Sequence, residues 1–232
     1  MTPWRITHVE ETESTNLLAR SGRPGDVFTA DYQTAGRGRL DHRWLAAREQ
    51  NLMMSAVIDV AGVAAEHAAT LPLAVGFAVV EALHGVVHGL MLKWPNDVLS
   101  DGRKLAGILC ERHGDAAIAG IGVNVRQREF PSEIAGRATS LAILGSDVSV
   151  AKVRDAVLGS LSQVLSAWHS GFSAIYPRIR AIDYLAGREV AIRQLDDAAP
   201  SASGVCGGIQ WDGSLLVGGE PVWAGEAHVV EF

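Results

Sequence analysis

The sequence predicts an α+β fold: a mixed, mostly antiparallel sheet packed with helices, followed by a small β-barrel of SH3 type. Three observations predict it. Apolar runs of strand length alternate with tight turn signals between residues 90 and 125, with Asp101-Gly102 and Gly114-Asp115 as hairpin turns. Two longer segments, Leu71 to Val87 and Val148 to Ser170, carry apolar residues at helical spacing. From Gly187 onward the chain changes to short strand-like pieces split by Gly and Asp-Gly turns. That change sets a boundary near Leu185, with a large unit over 1–185 and a small one over 186–232.

Taken in order, Trp4 to Val9 reads as a strand, and Thr12 to Asn16 supplies capping side chains for a helix that starts near Ser14 and turns Leu17 and Leu18 inward. Ser14, Thr15 and Asn16 therefore stand at a helix start, where they either cap it or offer hydroxyls and free N–H groups to a polar ligand. Strand-like VFTAD (27–31) leads through Gln33 into TAGRGRLDHRW (34–44). There Gly36 and Gly38 free the backbone for close approach, while Arg37 and Arg39 present forked donors suited to phosphate or carboxylate. Asn51 to Val60 is apolar enough for a strand buried on most of its surface. His84 and His88 fall four apart on the predicted helix, but no third metal ligand accompanies them.

In LMLKWPNDVL, Pro95 stops a strand over 90–94, and Asn96-Asp97 occupy the turn before the next. A further strand opens with Lys104 and runs through Gly107. Alternation puts Lys104 and Ala106 on one face, Leu105 and Gly107 on the other. Lys104 lies across one hairpin from Asp97, so the pair is either a surface salt bridge of small worth or a carboxylate that orients a lysine toward a substrate anion. Phe172 to Leu185 is predicted as a short helix. The stretch Asp196 to Gly208 is rich in small, turn-forming residues.

Composition narrows the function. With 48% apolar residues in 232 the chain has material for a core, and a formal charge of −6 argues against a dedicated nucleic-acid binder. Cys110 and Cys206 lie outside any metal-spaced cluster and read as reduced core residues. The N-terminus lacks signal-peptide character and no uncharged apolar run reaches bilayer length, so the expectation is a cytoplasmic protein with no membrane contact.

Five blocks read together carry a family resemblance: STN (14–16), QTAGRGR (33–39), KWPND (93–97), GRKLAGIL (102–109) and GIGVNV (120–125). In this order, and with a β-rich C-terminal module, the chain resembles the biotin protein ligases over nearly its whole length. The resemblance implies the biotin/lipoate ligase catalytic fold, akin to class II aminoacyl-tRNA synthetases, in a monofunctional form that does not itself bind DNA. It further implies two-step chemistry. Biotin and ATP, with Mg²⁺, give biotinyl-5′-AMP and pyrophosphate, and the adenylate then acylates one lysine of a biotin carboxyl carrier domain.

By resemblance, Lys104, Arg37 and Arg39 are the catalytic groups. Biotin falls to these and to Ser14, Thr15, Asn16, Gln33, Gly36, Gly38 and Gly107. ATP falls to Arg39, His42, Arg43, Trp44, Asn96, Asp97, Lys104 and Asn124. Many members continue the loop with Arg-Gly-Arg before the tryptophan, whereas this chain has Leu40-Asp41-His42-Arg43-Trp44. Either Arg43 replaces the missing phosphate contact, or His42 does so in a pH-dependent way. The C-terminal module is expected to serve ATP or the carrier rather than biotin, and the 36–44 loop to act as a lid over the adenylate. A lipoate or octanoate transferase on the same fold and a non-catalytic biotin-sensing module are the competing readings; a homodimer is left open.

Overall fold

A computed structural model describes residues 3–39, 42–193 and 200–230. Leu40, Asp41 and the first part of the Asp196 to Gly208 stretch lie outside the described residues. The chain begins with strand β1 (Arg5–Thr12), a one-turn helix α1 (Thr15–Leu18) and β2 (Asp26–Gln33), and continues through β3 (Asn51–Asp59). Helices α2 (Ala65–Ala68) and α3 (Leu71–Leu83) precede four strands in series: β4 (Leu90–Lys93), β5 (Asp97–Ser100), β6 (Arg103–His113) and β7 (Ala116–Asn124). Helices α4 (Ser132–Ala135), α5 (Val150–His169) and α6 (Tyr176–Ala181) follow, and then β8 (Glu189–Arg193), β9 (Ala202–Ile209), β10 (Leu215–Val217), β11 (Glu220–Val222) and β12 (Glu226–Val229).

The first seven strands form one sheet in the order β1-β2-β3-β7-β6-β5-β4. Only β1 and β2 run parallel; every other pairing is antiparallel, so the mixed, mostly antiparallel sheet is as expected. Asp101 and Gly102 both take positive φ (49° and 73°), the conformation that a two-residue hairpin demands. The C-terminal strands form a five-stranded antiparallel sheet, β11-β10-β9-β8-β12. Among the described residues its edge strands β11 and β12 are not paired with each other, so the five strands are described as a sheet.

The central strand β3 separates two environments. Leu52, Met54, Ala56 and Ile58 face the helices and belong to the main core with α3 and α5, whereas Ser55 bonds to α1 on the other face. Helix α3 is buried almost all round, more a core rod than the amphipathic helix the spacing suggested. Together with α2 it makes the stretch Ala65–Leu83, long and apolar enough by composition to cross a bilayer, but here it is mostly core. The helix ends at Leu83, before Gly85 and the β-branched pair Val86-Val87, so His84 and His88 are exposed and do not share a helical face.

Helix α6 also stops early, at Ala181 instead of near Leu185. Residues 182–184 leave the helix to pair with the sheet edge: Leu92 N–H donates to Ile182 O (2.7 Å) and Tyr184 N–H to Leu92 O (2.9 Å). Asp183, buried between the two sheets, accepts from the backbone N–H groups of Leu185 (3.0 Å) and Ile209 (2.7 Å). The main core runs without a break from α3 and α5 into Val190, Ile192, Ile209 and Leu215. Cys206 is buried, Cys110 half-buried, and both are free thiols.

Candidate active site

On the sheet face opposite the helices lies a cavity of about 520 Å³, within the size range of small-molecule sites. Three small residues open its floor. A Cβ at Gly120 would collide with Asn16, at Gly122 it would stand 2.5 Å from the Trp44 indole, and at Gly107 3.1 Å from Lys104 Cε. The room above Gly107 is thus taken by Lys104 and Trp44 of the protein itself.

One part of the wall is neutral and hydrogen-bonding. Ser14, Thr15 and Asn16 are buried, while Leu17 and Leu18 are only half-buried, the reverse of a plain capping role; the Ser14 side chain makes no cap bond. Gln33 Oε1 accepts from Thr15 N–H (2.7 Å) and from its hydroxyl (3.1 Å). The Ser55 hydroxyl lies 2.8 Å from Thr15 Oγ1 and 2.6 Å from Asn16 Oδ1. Ser55 was not singled out in the sequence, since a lone serine inside an apolar strand carries no local signal; only its pairing face marks it.

The other part is charged. Lys104 Nζ stands 2.7 Å from Asp97 Oδ1, an ion-pair contact whose angle falls short of hydrogen-bond geometry. A bulge brings Lys104 here: Val98 pairs with Ala106 but Leu99 with Lys104, so Leu105 is the extra residue. Leu105 and Ala106 both enter the core, and Lys104 shares the cavity face with Gly107 against the simple alternation. Lys93 also lines the cavity, and burial lowers its pKa while Asp97 and Glu226 oppose that shift. Arg137 and His228 add further cationic or titratable groups. Burial, and next the charge of Lys93, lower the pKa of His228. Among these, Lys93, Arg137, Glu226 and His228 were missed as site residues, although Lys93 opens the quoted KWPND block.

The Gly/Arg loop folds as a small hairpin, with Arg37 bridged to Arg43 and Trp44 N–H donating to Gly36 O (2.9 Å). Its glycines are needed for close approach across this hairpin: a Cβ at Gly36 would stand 2.6 Å from Trp44 O, and at Gly38 2.9 Å from His42 O. Arg37 ion-pairs with Glu111 (2.9 Å). Arg39, lowered in pKa chiefly by burial, bonds Gly225 O (3.4 Å). His42 meets Glu226 (3.4 Å), and Arg43 donates to Thr34 O (3.1 Å).

Asn96 and Asn124 line the cavity and at the same time hold the fold, Asn124 Oδ1 being left without a protein partner. Asn96 donates to Ile108 O (2.7 Å), and buried Asn124 donates to Thr139 O (2.9 Å), fixing the segment that runs beside Lys104. The C-terminal sheet reaches the cavity too, since Glu226 to Val229 line it. Among the described residues no three His, Cys, Asp or Glu side chains cluster as a resident metal site.

A family model described as the biotin/lipoate A/B protein ligase family matches residues 6–127. The chain belongs to that family. A biotin--[acetyl-CoA-carboxylase] ligase from Mycobacterium tuberculosis is 40% identical over 153 residues, 61% of this chain and 57% of that one. A ligase of the same name from Paracoccus denitrificans is 29% identical over 225 residues, 90% of this chain and 92% of its own. The solved biotin protein ligase from Aquifex aeolicus, in complex with biotin and ATP, superposes with a TM-score of 0.84 at 30% identity and covers 98% of this chain and 99% of that one. The match thus spans a little over half the length of the M. tuberculosis relative.

Proposed function

We propose that this protein is a biotin protein ligase, which activates biotin with ATP and transfers it to a lysine of a biotin carrier domain. The observation that carries the reading is the pairing, in one cavity, of a buried, neutral hydrogen-bonding wall with a half-buried cationic one made by Lys93, Lys104 and Arg39. A ureido ring is uncharged and needs a few placed polar groups, for which Ser14, Thr15 and Gln33 are suited. The valerate carboxylate and the ATP α-phosphate are both anions, and their approach requires fixed positive charge.

In the first step a carboxylate oxygen attacks the α-phosphorus, the Pα–O–Pβ bond breaks and pyrophosphate leaves. Lys104, Lys93 and Arg39 offset the charge that builds on the α-phosphoryl oxygens. In the second step the carrier lysine, as a free amine, attacks the acyl carbon; AMP leaves and the amine loses a proton. Mg²⁺ brought with ATP would need few protein ligands, for which the Asp97 carboxylate is suited, and it would supply charge neutralisation for the departing pyrophosphate. We place the division into a catalytic unit and a C-terminal unit at 185/186, with the second contributing β12 to the site. Dependence on ATP favours the cytoplasm as its compartment.

The test is incubation with radiolabelled biotin, MgATP and a biotin carrier domain, with lipoate as competitor. Label on one carrier lysine, insensitive to lipoate, is the expected result; competition by lipoate, or no transfer, overturns the reading.

A further inference from the structure

Beneath the neutral wall a chain of polar groups ends on a carboxylate that the proposed reaction does not use. Glu111, on the cavity side of β6, accepts from Asn16 Nδ2 (2.7 Å) and from Arg37 Nη1 (2.9 Å), with Arg20 at 3.6 Å. We infer that Glu111 is a positioning residue that sets the direction of the hydrogen bonds running to Thr15, and so makes the Thr15 hydroxyl an acceptor for a ligand N–H. This rests on the reading of the cavity as a biotin site and deepens it.

The polarity follows link by link. An ionised carboxylate only accepts, so Asn16 must turn its amide NH₂ toward Glu111, and Leu109 O (3.3 Å) accepts from the same nitrogen. Asn16 Oδ1 then faces Ser55, whose single hydroxyl proton it takes at 2.6 Å. With that proton spent, Ser55 has none for Thr15, and the one Thr15 hydroxyl proton goes to an acceptor beside it, Ser55 Oγ (2.8 Å) or Gln33 Oε1 (3.1 Å). Thr15 Oγ1 is left with lone pairs and no proton to offer, while Gln33 Oε1 retains the Thr15 backbone N–H. A ureido ring supplies two N–H donors, which is what such an acceptor recognises.

The same carboxylate holds Arg37. With both Asn16 and Arg37 engaged on it, this arginine anchors the start of the loop hairpin and is not spare charge for phosphate.

Two variants test the inference. Glu111→Ala removes the acceptor, whereas Glu111→Gln keeps an acceptor for Asn16 and loses the charge facing Arg37. Adenylate formation is followed by pyrophosphate release, with biotin and with two cyclic carbamate analogues in which each ureido N–H in turn is replaced by oxygen.

For Glu111→Ala the expected result is a rise of about tenfold in KM for biotin with kcat retained, the loss expected for one uncompensated hydrogen bond. Glu111→Gln should recover most of that. One carbamate should bind the parent about tenfold more weakly than biotin but bind Glu111→Ala no more weakly, because the acceptor it fails to satisfy is no longer fixed. Equal penalties for both carbamates in parent and variant, or a fall in kcat alone, overturn the assignment. A parent that releases no pyrophosphate with biotin overturns the ligase reading instead.

Discussion

Lys104 reaches the cavity because β6 carries one extra residue, and Leu105 pays the geometric cost by entering the core with its neighbour Ala106. Replacing the lysine leaves that bulge alone. Lys104→Ala is therefore expected to keep its fold and slow adenylate formation roughly tenfold to a thousandfold, read as pyrophosphate release at saturating substrate. A rate equal to the parent's would remove the lysine from the chemistry.

His228 gives a prediction of pH dependence. Its folded-state pKa lies below the ordinary 6.5, so in the window beneath 6.5 the unfolded chain takes up a proton that the folded one refuses. Stability from this group is full above that window and falls as pH drops through it. The neighbours Lys93, Arg137 and Arg193 push the same way and Glu226 opposes. Urea midpoints measured from pH 7.5 down to 5.5 should fall less in His228→Gln than in the parent.

At this scale Ser14, Thr15, Gln33, Lys104 and Asp97 were legible because local motifs carry them. Ser55, Glu111 and Glu226 were not, since each gains its role only from a strand partner or a loop distant in sequence.

Among the elements, the Gly36 to Trp44 loop has the most to reveal. It is tied by Arg37 to Glu111, by Arg39 to Gly225 O and by His42 to Glu226, and the Trp44 indole rests on the glycine floor. A side chain at Gly36 meets backbone oxygen, which cannot move aside as a flexible side chain would. Gly36→Val should open the hairpin at a cost of about 1–3 kcal/mol in loop stability and raise the rate of proteolytic cleavage within it. Arg39→Ala removes only the tie to Gly225 O. Its expected outcome is faster loss of biotinyl-5′-AMP, seen as label on lysines of unrelated proteins, with the adenylate still formed.

The strands and the two long helices were readable from period and turn residues, Asp101-Gly102 most plainly. Element ends were less so. Helices α3 and α6 both stop early, one at Gly85 and the β-branched pair beyond it, the other where the chain is drawn onto the β4 edge by Leu92. The first cause is visible in the sequence, the second only in three dimensions.

For the whole molecule, the boundary near Leu185 separates two sheets but not two cores. Cutting there would uncover Leu185 and Trp94, whose indole N–H now donates to Gly213 O (3.0 Å). A chain ending at 185 is expected to aggregate on size-exclusion chromatography and to lose the cavity wall formed by Glu226 to Val229. Recovery of a monodisperse fragment with parental affinity for biotin would contradict this. Composition alone foresaw a change of architecture at this point, because turn spacing is a local property; it could not foresee that apolar residues on both sides would share one interior.

The buried carboxylate of Asp183 holds backbone amides on either side of that junction, one two residues ahead and one on β9. If either sheet melts first, this carboxylate loses one of its two backbone donors and is left with the other and with the Arg180 guanidinium 3.5 Å away. Scanning calorimetry on the intact chain should therefore record a single endotherm, its calorimetric and van't Hoff enthalpies in agreement, and Asp183→Asn should broaden or split that peak as the two halves come uncoupled.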